Sequence, residues 1–176
     1  MTDHWFEPLA DHMGEAYLRY AFTKGTENEV ASIYDALGLR PGMRLLDVGC
    51  GPGRHAYALA ERLGEVLGVD ISQRFVDIGN AHAPAGARFE RGDARALRFD
   101  AEFDAVISLC QGAFGLSGGG DNVLLDPDAV VLAGIARALR PGGRVAVSAF
   151  SSYFQVRFLE DTDSFDAERG LNHEST

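Results

Sequence analysis

The junction at residues 43–55 restricts what this chain can fold into more than any other stretch. Met43-Arg-Leu-Leu-Asp-Val48 is a short apolar run suited to a buried strand. Gly49-Cys-Gly-Pro-Gly53-Arg54-His55 follows, opening a segment that places Ala56, Leu59, Ala60 and Leu63 on one helical face. The glycines let the chain turn tightly and let a ligand approach the backbone, while the helix N-terminus offers unpaired N–H groups to an anion.

The same alternation continues. Residues 65–69 (EVLGV) repeat the strand signal, Ser72 caps a helix through about Ala81, and residues 87–92 (ARFERG) form a third strand candidate. Residues 103–110 (FDAVISLC) give a fourth. A helix starts at Asp126-Pro127 with Leu132, Ile135, Ala136 and Leu139 inward, the turn Arg140-Pro-Gly-Gly143 ends it, and residues 144–150 (RVAVSAF) supply the fifth strand. Strands separated by crossovers predict an α/β, doubly wound, mostly parallel sheet. Upstream, Phe6, Leu9, Met13, Tyr17 and Tyr20 fall at steps of three and four, predicting one amphipathic helix that runs through Gly14. Thr26 and Glu29 have capping-box spacing before a second helix, and Gly38 stands where its C-cap belongs.

Composition narrows the chemistry. A chain of 176 residues has room for one domain, and its net charge of −10 offers no broad basic surface, so nucleic acid is not an expected partner. No apolar run approaches a membrane span, and the opening MTDHWFEPLADHM lacks the basic and apolar regions of a signal peptide, so a cytoplasmic protein is expected. Lys24 is the only lysine, which disfavours Schiff-base chemistry. The five histidines form no metal-binding pair, and Cys50 and Cys110 form no CxxC, so no metal is expected.

Ligands of doubly wound sheets lie beyond the carboxyl ends of the strands, where the strand order reverses. Asp70 ends the second strand, 17 residues after Gly53, about where a nucleotide-binding fold puts the acid that accepts from ribose hydroxyls. A nicotinamide-dinucleotide oxidoreductase would show a third glycine at position 54, which is Arg54. The run L-D-V-G-C-G-P-G (46–53) instead resembles motif I of the class I S-adenosylmethionine-dependent methyltransferases. GVD (68–70), GDAR (92–95), FDAVISLC (103–110) and LRPGGRV (139–145) resemble that family's later elements in order.

The resemblance implies a Rossmann-like sheet of order 3-2-1-4-5 and a methyltransferase using S-adenosyl-L-methionine, with S-adenosyl-L-homocysteine as product. It implies that Gly49, Gly51 and Gly53 face the methionine part and the nucleoside, that Asp47 supports the loop and the ligand's ammonium, and that Asp70 takes the ribose hydroxyls. Ile71 would pack on adenine, Asp93 accept from its exocyclic amine, the Ala94 N–H donate to a ring nitrogen, and Leu109 to Gln111 border the transferred methyl. His55 is a candidate base, with a structural half-buried histidine as the alternative. Tyr20, with Tyr17 and Phe22, belongs either to a lid over the cofactor or to plain core packing, and Phe114 is placed among substrate contacts; Gly118-Gly119-Gly120 reads as a mobile loop or a linker. Cys50 and Cys110 are expected near the cofactor as small apolar filler.

The implied division is 1–40 as amino-terminal helices, 41–150 as the cofactor-binding core and 151–176 as an extension that lacks or truncates the family's carboxyl-terminal hairpin. The acceptor is expected to be a small molecule, and an incomplete sheet edge suggests a homodimer. A non-catalytic cofactor-binding domain is the competing reading.

Overall fold

The computed structural model describes residues 4–115, 127–149, 157, 163–166 and 171–173. The chain runs α1 (Phe6–Met13), two 3-10 turns (Gly14–Arg19 and Ala21–Gly25), α2 (Thr26–Ala36), β1 (Arg44–Val48), α3 (Arg54–Leu63), β2 (Glu65–Asp70), α4 (Gln73–Ala81) and β3 (Ala87–Arg91). A short 3-10 turn (Ala94–Ala96) leads to β4 (Phe103–Ser108), followed by α5 (Pro127–Ala138), β5 (Leu139–Val147), β6 (Ser164–Asp166) and β7 (Leu171–His173).

Strands β1 to β5 form one parallel sheet of order β3-β2-β1-β4-β5, the order that the family resemblance implies. Alternation along β1 sends Leu45 to one face and Leu46 and Val48 to the other. Leu45 joins Val30, Leu59, Leu63 and Ile107 beneath α2 and α3, whereas Leu46 and Val48 pack with Val106, Val131 and Ile135 beneath α5. All of these are fully or nearly fully buried, and both faces are covered, which is why the strands read as apolar runs. Helix α2 supplies Val30 to this core, although the sequence division groups it with residues 1–40.

Several local expectations change. The amino-terminal helix ends at Met13, because Gly14 takes φ +46 and the chain continues as a 3-10 turn. Phe6, Met13 and Tyr17 still pack together against Phe75 and Ile78, while Leu9 is exposed. The capping box does not form: Gly25 is the N-cap of α2, the Thr26 hydroxyl donates to the Thr23 carbonyl (2.6 Å), and Glu29 turns to Arg54 and His55. Charge-assisted bonds are the stronger option for a carboxylate. Ser72 does cap α4, accepting from the Phe75 N–H at 3.2 Å. The 140–143 turn bulges out of the β4–β5 pairing, which passes from Phe103↔Leu139 to Ala105↔Arg144. The carboxyl-terminal stretch, read as a loop, contains the antiparallel pair β6–β7, which is separate from the main sheet. Gly118-Gly119-Gly120, Asp126 and Phe150 lie outside the described residues. Among the described residues no helix is long and apolar enough to cross a membrane.

Candidate functional site

The strand order reverses between β1 and β4, and the ends of β2, β1 and β4 converge on a cavity of about 210 Å3. The pairs Val48↔Val69 and Asp47↔Ile107 set those ends side by side, and the Gly49 N–H reaches the Val69 carbonyl at 2.7 Å. Of the residues anticipated from the sequence, Asp47, Gly49, Gly51, Asp70 and Ile71 line this cavity, with Asp93, Ala94, Leu109 and Gln111 on its other sides.

Three anticipated residues stand elsewhere. Gly53, at φ +97, is not part of the lining: a Cβ there would meet the Phe89 ring at 2.5 Å, so the glycine lets α3 approach β3. Tyr20 is 40% exposed and stands against the Tyr17 ring (centroids 6.1 Å apart), and it is Tyr17 that borders the cavity. Phe114 is buried in the core beneath α5. A bulky apolar ring one residue beyond the lining Ala113 turns inward rather than toward a ligand.

The glycine loop is fitted against the β4 end. At Gly49, φ is +72 and a Cβ would lie 1.9 Å from the Gly112 carbonyl oxygen, so the two backbones are in direct contact. The Gly112 N–H donates to the Leu109 carbonyl (2.9 Å), with Cys110 at φ +54 and Gln111 at φ +59 between them. This tight turn stops β4 at Ser108, two residues short of the anticipated end. Ser148 holds it, accepting the Cys110 N–H on its hydroxyl at 2.8 Å.

The carboxylates differ in state. Asp70 is buried and accepts the Gly51 N–H (2.8 Å) and the Ser72 N–H (2.9 Å). Burial pushes its carboxyl up to about 6 despite those donors. Asp47 is buried too, and its Oδ2 has no hydrogen-bond partner among the described residues; burial and the Asp70 charge push it up to about 7. Asp93 is held below the usual range by the Arg95 guanidinium.

His55 also lines the cavity, but its Nε2 lies 2.8 Å from Glu29. Burial lowers its pKa against the pull of Glu29, leaving a neutral ring whose Nε2–H donates to the carboxylate. Against partial burial, the His55 and Arg54 hydrogen bonds keep Glu29 ionised. The Arg54 guanidinium bonds Glu29 (2.6 Å), Thr26 (2.8 Å) and the Cys110 sulfur (2.9 Å). Cys50 is buried as small apolar filler is, whereas Cys110 is exposed and bound to Arg54.

Residues 45–143 match a family described as a methyltransferase domain. The chain belongs to the class I S-adenosylmethionine-dependent methyltransferases. It is 39% identical over 119 residues to the demethylmenaquinone methyltransferase of Beutenbergia cavernae, covering 67% of this chain and 45% of that protein. It is 35% identical over 129 residues to the cypemycin N-terminal methyltransferase of a Streptomyces species, covering 73% and 45%. Among solved structures, a methyltransferase from Thiobacillus denitrificans in complex with S-adenosyl-L-homocysteine superposes with a TM-score of 0.53 at 26% identity, over 68% of this chain and 47% of that one. The chain therefore spans about half the length of the curated relatives it matches.

The methyltransferase cavity has donors and acceptors that fit the family's cofactor. A buried carboxylate oxygen without a partner suits an ammonium, a carboxylate at a strand end suits ribose hydroxyls, and the N–H groups opening α3 suit a carboxylate. No sequence signal marks His4 and Phe6, which line the cavity from the amino-terminal segment, or Arg54 as a bridge between α2 and the β4 turn. The Arg95 side chain was equally hidden, although its motif was legible.

Proposed function

We propose that this methyltransferase domain binds S-adenosyl-L-methionine beyond the carboxyl ends of β1 and β2 and directs methyl transfer to a small-molecule acceptor. The observation that carries the reading is the unpartnered, fully buried Asp47 oxygen beside Asp70 at the sheet's switch point. When bound, the cofactor supplies an electrophilic methyl and a neutral thioether leaving group.

The chain's own task is positioning. Asp47 receives the ligand's ammonium, Asp70 the ribose hydroxyls, and Ile71 the adenine face. Leu109 and Gln111 fix the methyl-bearing end against the β4 turn. The amino-terminal segment forms a cover: Glu7 pairs with Arg91, whose Nε donates to the Ile71 carbonyl (3.0 Å), so α1 is tethered to the nucleoside end. His55 serves structure in this reading, because its Nε2 is committed to Glu29. The name of the demethylmenaquinone relative supports a small-molecule acceptor; that of the cypemycin relative supports a peptide N-terminus as the second reading. A second copy of the chain pairing along the β5 edge belongs to the same proposal.

The test is isothermal titration with S-adenosyl-L-homocysteine, with NAD in parallel and Asp70→Asn as the variant that keeps the shape. Binding of the first ligand alone is expected, weakened about tenfold or more when the charged acceptor is removed. Equal affinity in the variant, or binding of NAD instead, rejects the assignment. Acceptor panels of quinol-like molecules and peptides then separate the two acceptor readings.

A further inference from the structure

The Asp93 carboxylate, which the cofactor reading assigns to the adenine amine, is already engaged on both oxygens by Arg95. Its Oδ1 accepts the Arg95 backbone N–H (2.9 Å) and Nε (2.9 Å), and its Oδ2 accepts Nη2 (2.6 Å) and Nε (3.1 Å). A carboxylate offers about four acceptor directions, and three protons of this one residue take three of them, the Nε proton being shared between the two oxygens. Both side chains line the cavity, and both keep partial solvent contact: 24% for Asp93 and 36% for Arg95.

Local chain geometry makes the pairing intrinsic to the site. The Gly92 N–H bonds the Asp70 carbonyl (2.9 Å) as the last rung of the β2–β3 ladder, and Asp93 follows as N-cap of the 3-10 turn Ala94–Ala96. A cap accepts from the N–H two residues on, so Arg95 is held at the one distance from which its guanidinium can fold back onto the same carboxylate.

We infer that Arg95 is an internal competitor for the adenine-recognising carboxylate and sets the affinity of the methyltransferase for its cofactor. This inference rests on the cofactor reading given above. An exocyclic amine that docks on the side of the carboxylate held by the guanidinium displaces at least one of its bonds. Arg95 is exposed enough to exchange that bond for water, so the exchange is readily made, and the competition costs only what a partly exposed ion pair contributes. The pair thus keeps the carboxylate charged and solvated in the free protein and weakens cofactor binding by a set amount, which favours release of the spent product. Arg95 acts through Asp93 and is a positioning residue rather than a catalytic one.

The experiment is titration of S-adenosyl-L-homocysteine into the wild-type chain, Arg95→Ala, Asp93→Ala and the double variant. Arg95→Ala is expected to bind two- to five-fold tighter, roughly the equilibrium equivalent of an exposed ion pair. Asp93→Ala binds more weakly, and in its background the arginine substitution makes no difference. Raising the salt concentration should narrow the gap between wild type and Arg95→Ala, because salt screens the pair that competes. Weaker binding by Arg95→Ala overturns the inference and makes Arg95 a direct contact of the nucleoside. An unchanged affinity overturns it as well, showing that the pair opens at no cost. If wild type and Arg95→Ala both fail to bind, the cofactor reading itself falls and this inference with it. Thermal unfolding of each variant identifies any loss that comes from misfolding.

Discussion

Asp47 and Asp70 place two carboxylates in one buried cavity, and the consequences run in opposite directions for folding and for binding. Both carboxyls are raised from 3.8, to about 7 and about 6, chiefly by burial. A carboxyl whose folded value is raised stabilises the fold fully below its unfolded value, and that contribution is lost as pH rises through the folded one. Glu29, Asp93 and Asp104 are lowered instead, so their contribution is lost only as pH falls below the ordinary carboxylate range. Burial lowers His4 and His55 from 6.5, which acts the other way up to about that value; between about pH 6.5 and 7.5 the raised carboxyls govern, and the melting temperature of the ligand-free protein should fall as pH rises. Over the same range affinity for S-adenosyl-L-homocysteine should rise, because ammonium and ribose favour ionised partners, and binding should release protons. Asp47→Asn should flatten the stability slope. Titrations in buffers of different ionisation enthalpy measure the protons; a melting temperature that rises across this window contradicts the assignment.

At the scale of elements, the turn after β4 shows what a sequence pattern carries and what it omits. The apolar run 103–110 identified the strand, yet the strand ends at Ser108, because Cys110 and Gln111 adopt left-handed φ angles and no Asn or Gly marks the position. Gly49, legible as part of a ligand loop, also has a neighbour that only the folded chain reveals: Gly112, 63 residues on. Thr26 and Glu29 carried a local capping signal, and the long-range pull of Arg54 and His55 overrode it. Local and periodic information was therefore readable, while pairings between distant loops were not.

A left-handed conformation costs a non-glycine residue about 1–2 kcal/mol, and glycine returns part of that in chain entropy, roughly 0.5–1 kcal/mol. Gln111→Gly should accordingly leave the melting temperature unchanged or raise it by up to about 3 °C, while weakening S-adenosyl-L-homocysteine. Gly49→Ala should do the reverse to the fold, because its Cβ would press on the Gly112 backbone; both are read by thermal unfolding and titration. A clear loss of stability in Gln111→Gly means that its side-chain contacts outweigh the backbone cost.

At the scale of the whole molecule, the order β3-β2-β1-β4-β5 puts the two most apolar strands at the centre and leaves β5 at an edge. The family resemblance implies that order, and the residue pattern fits it, since β1 and β4 need cover on both faces while RVAV (144–147) alternates with charge and small residues. The degree of exposure does not follow from it. Val145 and Val147 are 43% and 40% exposed, on the face that α5 shares, where Val130 and Leu132 are exposed as well. No described strand pairs with the outer side of β5. An unpaired edge beside apolar side chains is a template for another strand, which natural sheets blunt with charge. If a second copy covers it, sedimentation velocity will show a concentration-dependent dimer, and Val147→Lys will shift the chain to monomer while S-adenosyl-L-homocysteine affinity stays within about twofold, since no β5 residue lines the cavity. A chain that stays monomeric up to about 100 μM, well above the dissociation constant of a stable dimer, rejects self-association and leaves the edge to another partner.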